Sequence, residues 1–249
     1  TTLVGCCGFC LSRSKYYSTF KVVELQETFY DIVNEEKLKL LRSEAPGDFV
    51  FSIKAYQGVT HDLSSPTWRR SRRRLSEDME NRVGLLRPTQ ENLNLWEEVV
   101  REAKVLRARV VVVQTPPSFR YSDENFRNAM EFFSVAVRRD FVVGWEPRGS
   151  WLENLQAVRK IVESYSNLIH VVDLFKVKPV VVKGVSYIRL HGIGEREVNY
   201  NYKYTDEDLK TLCGMVGELA TSSREVYVMF NNISMAVDAQ RFNTICSMR

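Results

Sequence analysis

Glu146-Pro-Arg148 follows directly on the apolar run Phe141-Val-Val-Gly-Trp145, so a carboxylate and a guanidinium stand two residues apart where a short buried strand must stop. A carboxylate in that place can take a proton or hold a cation, and an arginine beside it can fork an anion. Glu24 is the second residue of this kind. It lies between Val23 and Leu25 in the run Val22-Val-Glu-Leu-Gln26, where a carboxylate is costly unless it is paired or faces a polar cavity. Other apolar runs end the same way. Cys6 and Cys7 close the first, Lys54 follows Phe49 to Ile53, Gln114 follows Val110-Val-Val-Val113, and Asp173 follows Leu168 to Val172. Arg189 and His191 end the run from Val185 to Leu190, and Asn231-Asn232 ends that from Glu225 to Phe230.

These residue types admit two chemistries. Glu24, Glu146, Asp173 and His191 have the donor set of a divalent metal site, which would activate water or polarise a sugar carbonyl. Lys54, Arg148 and Arg189 can instead neutralise the same carboxylates. The metal-free site that results has Glu24 or Glu146 as general base, cationic side chains for a phosphate or carboxylate, and Gln114, Asn231 and Asn232 to orient the ligand. In that version Glu146 is expected to be ion-paired with Lys54, Arg148 or Arg189. His61 and His191 are the natural proton carriers near neutral pH. Three histidines in the chain are few for a multi-zinc site.

Basicity is local. The chain has 35 Lys and Arg against 31 Asp and Glu, and five of the arginines lie in Trp68-Arg-Arg-Ser-Arg-Arg-Arg74; without them the balance is 30 to 31. Arg69, Arg70, Arg72, Arg73 and Arg74 offer phosphate contacts, and Trp68 with Tyr200, Tyr202 and Tyr204 offers stacking surfaces for nucleic acid. Glu77, Asp78 and Glu80 follow closely and can equally neutralise the run as a solvated helix.

Five cysteines, three of them crowded at Cys6, Cys7 and Cys10, make a poor disulfide framework, so reduced and inert thiols are expected, including Cys213 and Cys246 on helices. Cys7 and Cys10 form a lone Cys-x-x-Cys, weak evidence for metal or redox chemistry. No apolar run reaches the length of about 18 residues that a membrane span requires. The start lacks the basic and apolar regions of a secretory signal, so cytoplasm is the default expectation.

The elements that position these tips alternate. Strands are expected over Leu3–Cys7, Val22–Gln26, Phe49–Lys54, Val110–Val113, Phe141–Trp145, Leu168–Val172, Val185–Leu190 and Glu225–Phe230. Helical spacing runs through Leu38, Leu40 and Leu41, then over Glu91–Arg107, Glu124–Val137, Trp151–Glu163 with Ser150 as cap, Asp206–Ala220 and Met235–Ile245. Eight strands with mostly helical crossovers in 249 residues predict one (β/α)8 TIM-type barrel domain spanning 1–249, with a long insertion after the third strand. In such a fold the C-terminal strand tips form the functional face.

Gly5-Cys-Cys-Gly-Phe9, Val23-Glu-Leu-Gln-Glu-Thr-Phe-Tyr30, Phe49 to Lys54 with Thr60-His61, Gln114-Thr-Pro-Pro-Ser-Phe119, Glu146-Pro-Arg-Gly-Ser-Trp151, Tyr187-Ile-Arg-Leu-His-Gly192 and Val228-Met-Phe-Asn-Asn232 occur in that order. Over almost the whole chain this resembles the YecE-like family, domain of unknown function 72. The resemblance implies a TIM-type barrel related to the xylose-isomerase-like group, which contains apurinic endonucleases and sugar isomerases, and implies no settled activity. It carries over motif positions only: Glu24, Thr28, Tyr30, Lys54, His61, Gln114, Glu146, Arg148, Trp151, Arg189, His191, Asn231 and Asn232. Two features depart from it, the extra thiols of Cys6-Cys-Gly-Phe-Cys10 and the density of the arginine run. The expected function is binding, with hydrolysis, of a nucleic-acid phosphodiester. The alternatives are a sugar or sugar-phosphate isomerase or lyase, and a non-catalytic barrel for an anionic ligand.

Overall fold

A computed structural model describes residues 1–248. The elements are β1 (Thr2–Cys7), α1 (Arg13–Thr19), β2 (Val22–Leu25), α2 (Glu27–Tyr30), α3 (Glu35–Glu44), β3 (Val50–Lys54), α4 (Gln57–Thr60), α5 (Gln90–Leu106), β4 (Val110–Gln114), α6 (Asp123–Ala136), β5 (Val142–Glu146), α7 (Leu155–Ser164), β6 (Leu168–His170), β7 (Val185–Leu190), α8 (Asp206–Ala220), β8 (Glu225–Phe230) and α9 (Met235–Ser247). The strands form an eight-stranded sheet in the order β6-β5-β4-β3-β2-β1-β8-β7. A parallel bridge, Val172↔Ile188, joins the segment after β6 to β7. This is the connectivity of a (β/α)8 TIM-type barrel. Among the described residues no helix is long and apolar enough to cross a membrane.

Packing divides the chain into two compact units. The first comprises Thr1–Glu24, Pro46–Val50 and the chain from Ile169; the second comprises Leu25–Ala45 and Phe51–Leu168. In the first, β1 pairs in parallel with β2 and β8, and β7 pairs with β8 in the register Arg189↔Met229. In the second, β4 pairs with β3 and β5, and Gln114 stands opposite Glu146. Val110 to Val113 are fully buried, as strands covered on both faces must be, and an unbroken valine run satisfies that.

Helix ends follow local chemistry. The Thr89 side chain accepts the Asn92 amide at 3.1 Å to start α5, and Thr205 with Asp208 forms a capping box on α8. Several sequence expectations shift. α1 has only Tyr16 buried, so no apolar stripe marked it. The helix expected from Trp151 begins at Leu155, because Gly149 adopts φ 66° and a 3₁₀ turn occupies Gly149–Glu153. Ser150 is not its cap; its hydroxyl accepts the Tyr121 amide at 2.8 Å. β6 ends at His170, short of Val172. Between Lys54 and Gln90 the expected insertion contains α4 and two 3₁₀ turns, Pro66–Arg70 and Glu77–Met79. The arginine run is therefore a short turn followed by irregular chain.

Cys213 and Cys246 are joined as a disulfide, contrary to the expectation of reduced thiols. α8 and α9 pack together and bring the two Cα atoms to 5.6 Å, a spacing that sequence distance could not reveal.

Candidate functional site

In the first unit, Tyr187 and Arg189 are two apart on β7 and so share one face, which is the face that meets Glu24. Arg189 donates from Nε to Glu24 Oε1 and from Nη2 to Oε2, both at 2.9 Å, and the Tyr187 hydroxyl donates to Oε1 at 3.0 Å. Arg189 is 1 % exposed and Glu24 0 %. A two-point fork of this kind answers the sequence puzzle of a carboxylate in a central strand: the charge is paired inside the protein. Glu24 as general base and Arg189 as phosphate ligand are both corrected, since the forked pair is sealed from solvent. Cys7 stands opposite Glu24 in the strand register, and burial, then the Glu24 charge, pushes its thiol well above the usual range.

Asp173 is likewise committed. Its Oδ2 accepts the His191 amide at 2.9 Å and its Oδ1 the Phe175 amide at 3.0 Å, so this carboxylate fixes backbone. The His191 ring meets the Asn231 amide, Nδ1 to Nδ2, at 3.3 Å; with the amide donating, the neutral ring carries its proton on Nε2. Asn232 is fully buried and donates to the Tyr202 carbonyl at 2.9 Å and to Asp238 Oδ2 at 2.8 Å. It ties a loop to α9, which corrects its assignment as a ligand-orienting residue.

In the second unit the tips of β3, β4 and β5 carry Lys54, Gln114 and Glu146. Arg148 donates from Nε and Nη2 to Glu146 Oε2 at 2.9 and 2.7 Å, the ion pair the sequence led us to expect. Lys54 Nζ lies 3.8 Å from the centre of the Phe29 ring, and the Lys54 carbonyl accepts the Thr28 hydroxyl at 2.7 Å. His61 Nδ1 is 2.7 Å from Thr60 Oγ1. Burial, then the Lys54 and Arg148 charges, pulls its pKa down to about 3, so the ring is neutral at physiological pH. His61 thus cannot act as a cationic acid; it offers a neutral imidazole in the field of two cations. Gly84, at φ 79°, packs against the His61 carbonyl, where a Cβ would meet that oxygen at 2.1 Å, so the insertion closes directly on this residue. Gln114 Nε2 donates to the Thr115 carbonyl at 3.1 Å. Trp151 is fully buried, donates to the Phe119 carbonyl at 2.8 Å and packs on Trp145; it is a core residue and not a ligand contact.

Also in the second unit, one residue to which the sequence reading gave no role organises the arginine run. Both oxygens of Asp31 accept the Arg72 amide at 3.0 Å, and Oδ1 accepts the Ser71 hydroxyl at 2.6 Å and the Arg73 amide at 3.3 Å. Some forty residues separate these groups, so no local signal could have shown it. Arg70 lies over the Tyr30 ring at 4.1 Å. Arg69, Arg72, Arg73 and Arg74 are exposed, and the ion pairs among described residues include none between them and Glu77, Asp78 or Glu80. The run is therefore not self-neutralised. Of its four expected aromatic partners Tyr200 is exposed and Tyr202 half-buried, but Trp68 is buried with its indole donating to the Asp62 carbonyl at 3.0 Å, and Tyr204 is buried. Neither Trp68 nor Tyr204 can stack on a base.

The four proposed metal ligands do not assemble. Among the described residues no three His, Cys, Asp or Glu side chains are grouped to hold a metal ion.

The sequence pattern described as "Protein of unknown function DUF72" matches residues 12–246. A DUF72 family protein from Enterococcus faecalis is similar in structure at TM-score 0.75 and 18% identity, covering 100% of this chain and 96% of its own. One from Thermotoga maritima is similar at TM-score 0.70 and 23% identity, covering 99% of each. A xylose isomerase domain protein from Planctomyces limnophilus is similar at TM-score 0.52 and 13% identity, over 99% of this chain and 94% of its own. No curated protein matches the sequence.

Proposed function

Since the chain belongs to the DUF72 family of proteins of unknown function, we propose, from its own residues, that it binds a small anionic polyol, a sugar phosphate or sugar acid, at the tips of β3, β4 and β5. The observation that carries this reading is that Lys54, at the tip of β3, and Arg148, forked on Glu146 just past the tip of β5, both act on the buried, neutral His61. Two cations suit a phosphate or carboxylate, and a neutral imidazole and a carboxylate suit hydroxyl groups. Glu146 is the base for a proton transfer of the isomerase or lyase type, and the Arg148 fork holds it in position. The fold shared with a barrel named for xylose isomerase makes polyols the first class to test.

Calorimetric titration with ribose 5-phosphate, inorganic phosphate and ribose tests the reading. The phosphate-bearing ligands should bind and ribose should bind at least tenfold more weakly. Lys54→Met and Arg148→Met should each lose most of the phosphate affinity. Equal binding of ribose and its phosphate, or unchanged affinity in both variants, would remove the anionic reading.

A second reading, nucleic-acid binding, is favoured by one observation: among the described residues the exposed Arg69, Arg72, Arg73 and Arg74 form no ion pair with a carboxylate side chain. With Trp68 and Tyr204 buried, contact with the phosphate backbone is the main contribution the arginine loop can make, and hydrolysis has no support.

A further inference from the structure

In the second unit, the end of α2, the chain between α2 and α3, and the arginine loop border a cavity of about 370 Å³, a size at which small-molecule sites are found. Four cationic side chains line it, Lys37, Arg70, Arg72 and Arg73, against two carboxylates, Glu27 and Asp31. Both carboxylates are engaged. Glu27 Oε2 accepts the Lys37 ammonium at 2.6 Å, and Asp31 accepts the Ser71 hydroxyl and the Arg72 and Arg73 amides. Arg70 is held by one residue in two ways: Nη1 donates to the Tyr30 hydroxyl at 2.6 Å, and the guanidinium lies 4.1 Å from the centre of the Tyr30 ring. Neither contact cancels its charge. Among the described residues Arg70, Arg72 and Arg73 form no ion pair with a carboxylate side chain. The walls are fixed from behind. Buried Gln57 accepts the Thr67 hydroxyl at 2.6 Å and donates to the Tyr30 carbonyl at 3.1 Å, which ties the 3₁₀ turn carrying Arg70 to the end of α2. Buried Glu102 accepts the Val33 amide at 2.9 Å and so holds the chain leading into α3.

We propose that this cavity is a binding site for a diphosphate, either free pyrophosphate or the diphosphate end of a nucleotide. With Glu27 and Asp31 satisfied by the walls, the excess of cationic side chains calls for an anion from outside. Guanidinium forks match pairs of phosphate oxygens, and a lysine ammonium adds a point charge beside them. A diphosphate carries two anionic groups on one small body and so meets arginine and lysine together, which a single phosphate does less well. Ile32 and Val33, half-buried in the same lining, give an organic moiety an apolar surface to lie against. Asp31 anchors the backbone of Arg72 and Arg73, and Gln57 anchors Tyr30 under Arg70, so little ordering of the walls is left for a ligand to bring about. The site shares no side chain with the strand tips proposed for a sugar phosphate, and the inference does not rest on that reading. It also differs from backbone binding along the arginine run, because it requires Lys37, which lies outside the run, and makes no use of Arg69 or Arg74, which do not line the cavity.

Calorimetric titration with pyrophosphate, ADP and citrate, without divalent cations, tests the proposal. Pyrophosphate and ADP should both bind, and citrate should bind at least tenfold more weakly. Arg70→Met and Lys37→Met should each weaken pyrophosphate binding about tenfold, the loss expected of one charge-assisted contact. Arg69→Met and Arg74→Met remove the same charge from the same run and should change the affinity by less than about twofold, since exposed charges at a distance are screened. The double variant Lys54→Met with Arg148→Met should keep the site. Melting temperatures of all variants check that the fold is retained. Tighter binding of ADP than of pyrophosphate would support a nucleotide as the ligand, and equal affinity would support the free diphosphate; either upholds the site. Absence of binding by both, equal affinity for citrate and pyrophosphate, or a loss in Arg74→Met as large as that in Arg70→Met would overturn it, the last by showing a diffuse field in place of a cavity. So would loss of pyrophosphate binding in the Lys54 and Arg148 double variant with none in Arg70→Met and Lys37→Met, which would move the diphosphate to the strand tips.

Discussion

At the scale of single residues, four buried ionisable groups, two of them paired, set the behaviour of the molecule in different ways. Glu24 and Arg189 are a closed pair, and removing one partner leaves the other charged and buried. Glu24→Gln or Arg189→Met should therefore cost about 3–5 kcal/mol in denaturant unfolding, whereas the double replacement Glu24→Met with Arg189→Met should recover most of that loss. Equal losses in single and double variants would mean that the pair contributes packing and not charge. Glu102, on α5, is 3 % exposed; one oxygen accepts the Val33 amide at 2.9 Å and the other has no hydrogen-bond partner. Burial raises its pKa from 4.5 to about 8. The folded protein thus keeps a proton that the unfolded chain releases, so stability is lost as pH rises between those values, by up to about 1.4 kcal/mol per unit. Glu102→Gln should match the wild type in melting temperature at pH 5 and exceed it at pH 9. His61 has the opposite sense. Its folded pKa of about 3 lies below the usual 6.5, so the stability it contributes is present above pH 6.5 and is lost as pH falls towards 3.

At the scale of elements, the unforeseen link is the disulfide between α8 and α9, which closes a loop of 33 residues. Restricting the unfolded chain over that length is worth about 3–4 kcal/mol. Dithiothreitol should lower the melting temperature of the wild type and leave Cys213→Ser with Cys246→Ser unaffected; a reductant effect of equal size in both would place it elsewhere. The strands were legible in the sequence because an unbroken run such as Val110 to Val113 has no other use in a buried sheet, and polar tips such as Glu146 and Lys54 stand out against such runs. Pairings were legible only when short-range. Arg148 reaches Glu146 from two residues away, and the sequence could offer that pair. Glu24 with Arg189, Asp31 with the Arg72 amide and Cys213 with Cys246 are made by the fold, and periodicity carries no information on which distant side chains will meet. Burial misled in the other direction. Trp68 and Trp151 lie beside polar motifs and so read as ligand contacts, yet both use their indole N–H on a backbone carbonyl and serve the core.

At the scale of the whole molecule, the net charge of +4 is smaller than the charge carried by the five arginines between Trp68 and Arg74, so any long-range attraction of polyanions must originate on that one loop. The Asp31 carboxylate fixes the backbone of Arg72 and Arg73, and among the described residues their guanidinium groups form no ion pair. Trp68 is buried and Arg70 covers the Tyr30 ring, so the contacts of these guanidinium groups with nucleic acid would be chiefly electrostatic and independent of base sequence. Affinity for duplex DNA, read by fluorescence anisotropy, should then fall steeply with salt, at a slope of about 0.9 per phosphate contact. Replacing Arg72, Arg73 and Arg74 by alanine should lower that slope by about 2.7, because three contacts are lost. The same variant should bind ribose 5-phosphate as the wild type does, because Lys54 and Arg148 are untouched. Absence of DNA binding at low salt, or an unaltered slope in the triple variant, would discard the nucleic-acid reading. A fall in sugar-phosphate affinity in that variant would instead show that the loop and the strand tips hold one ligand in common.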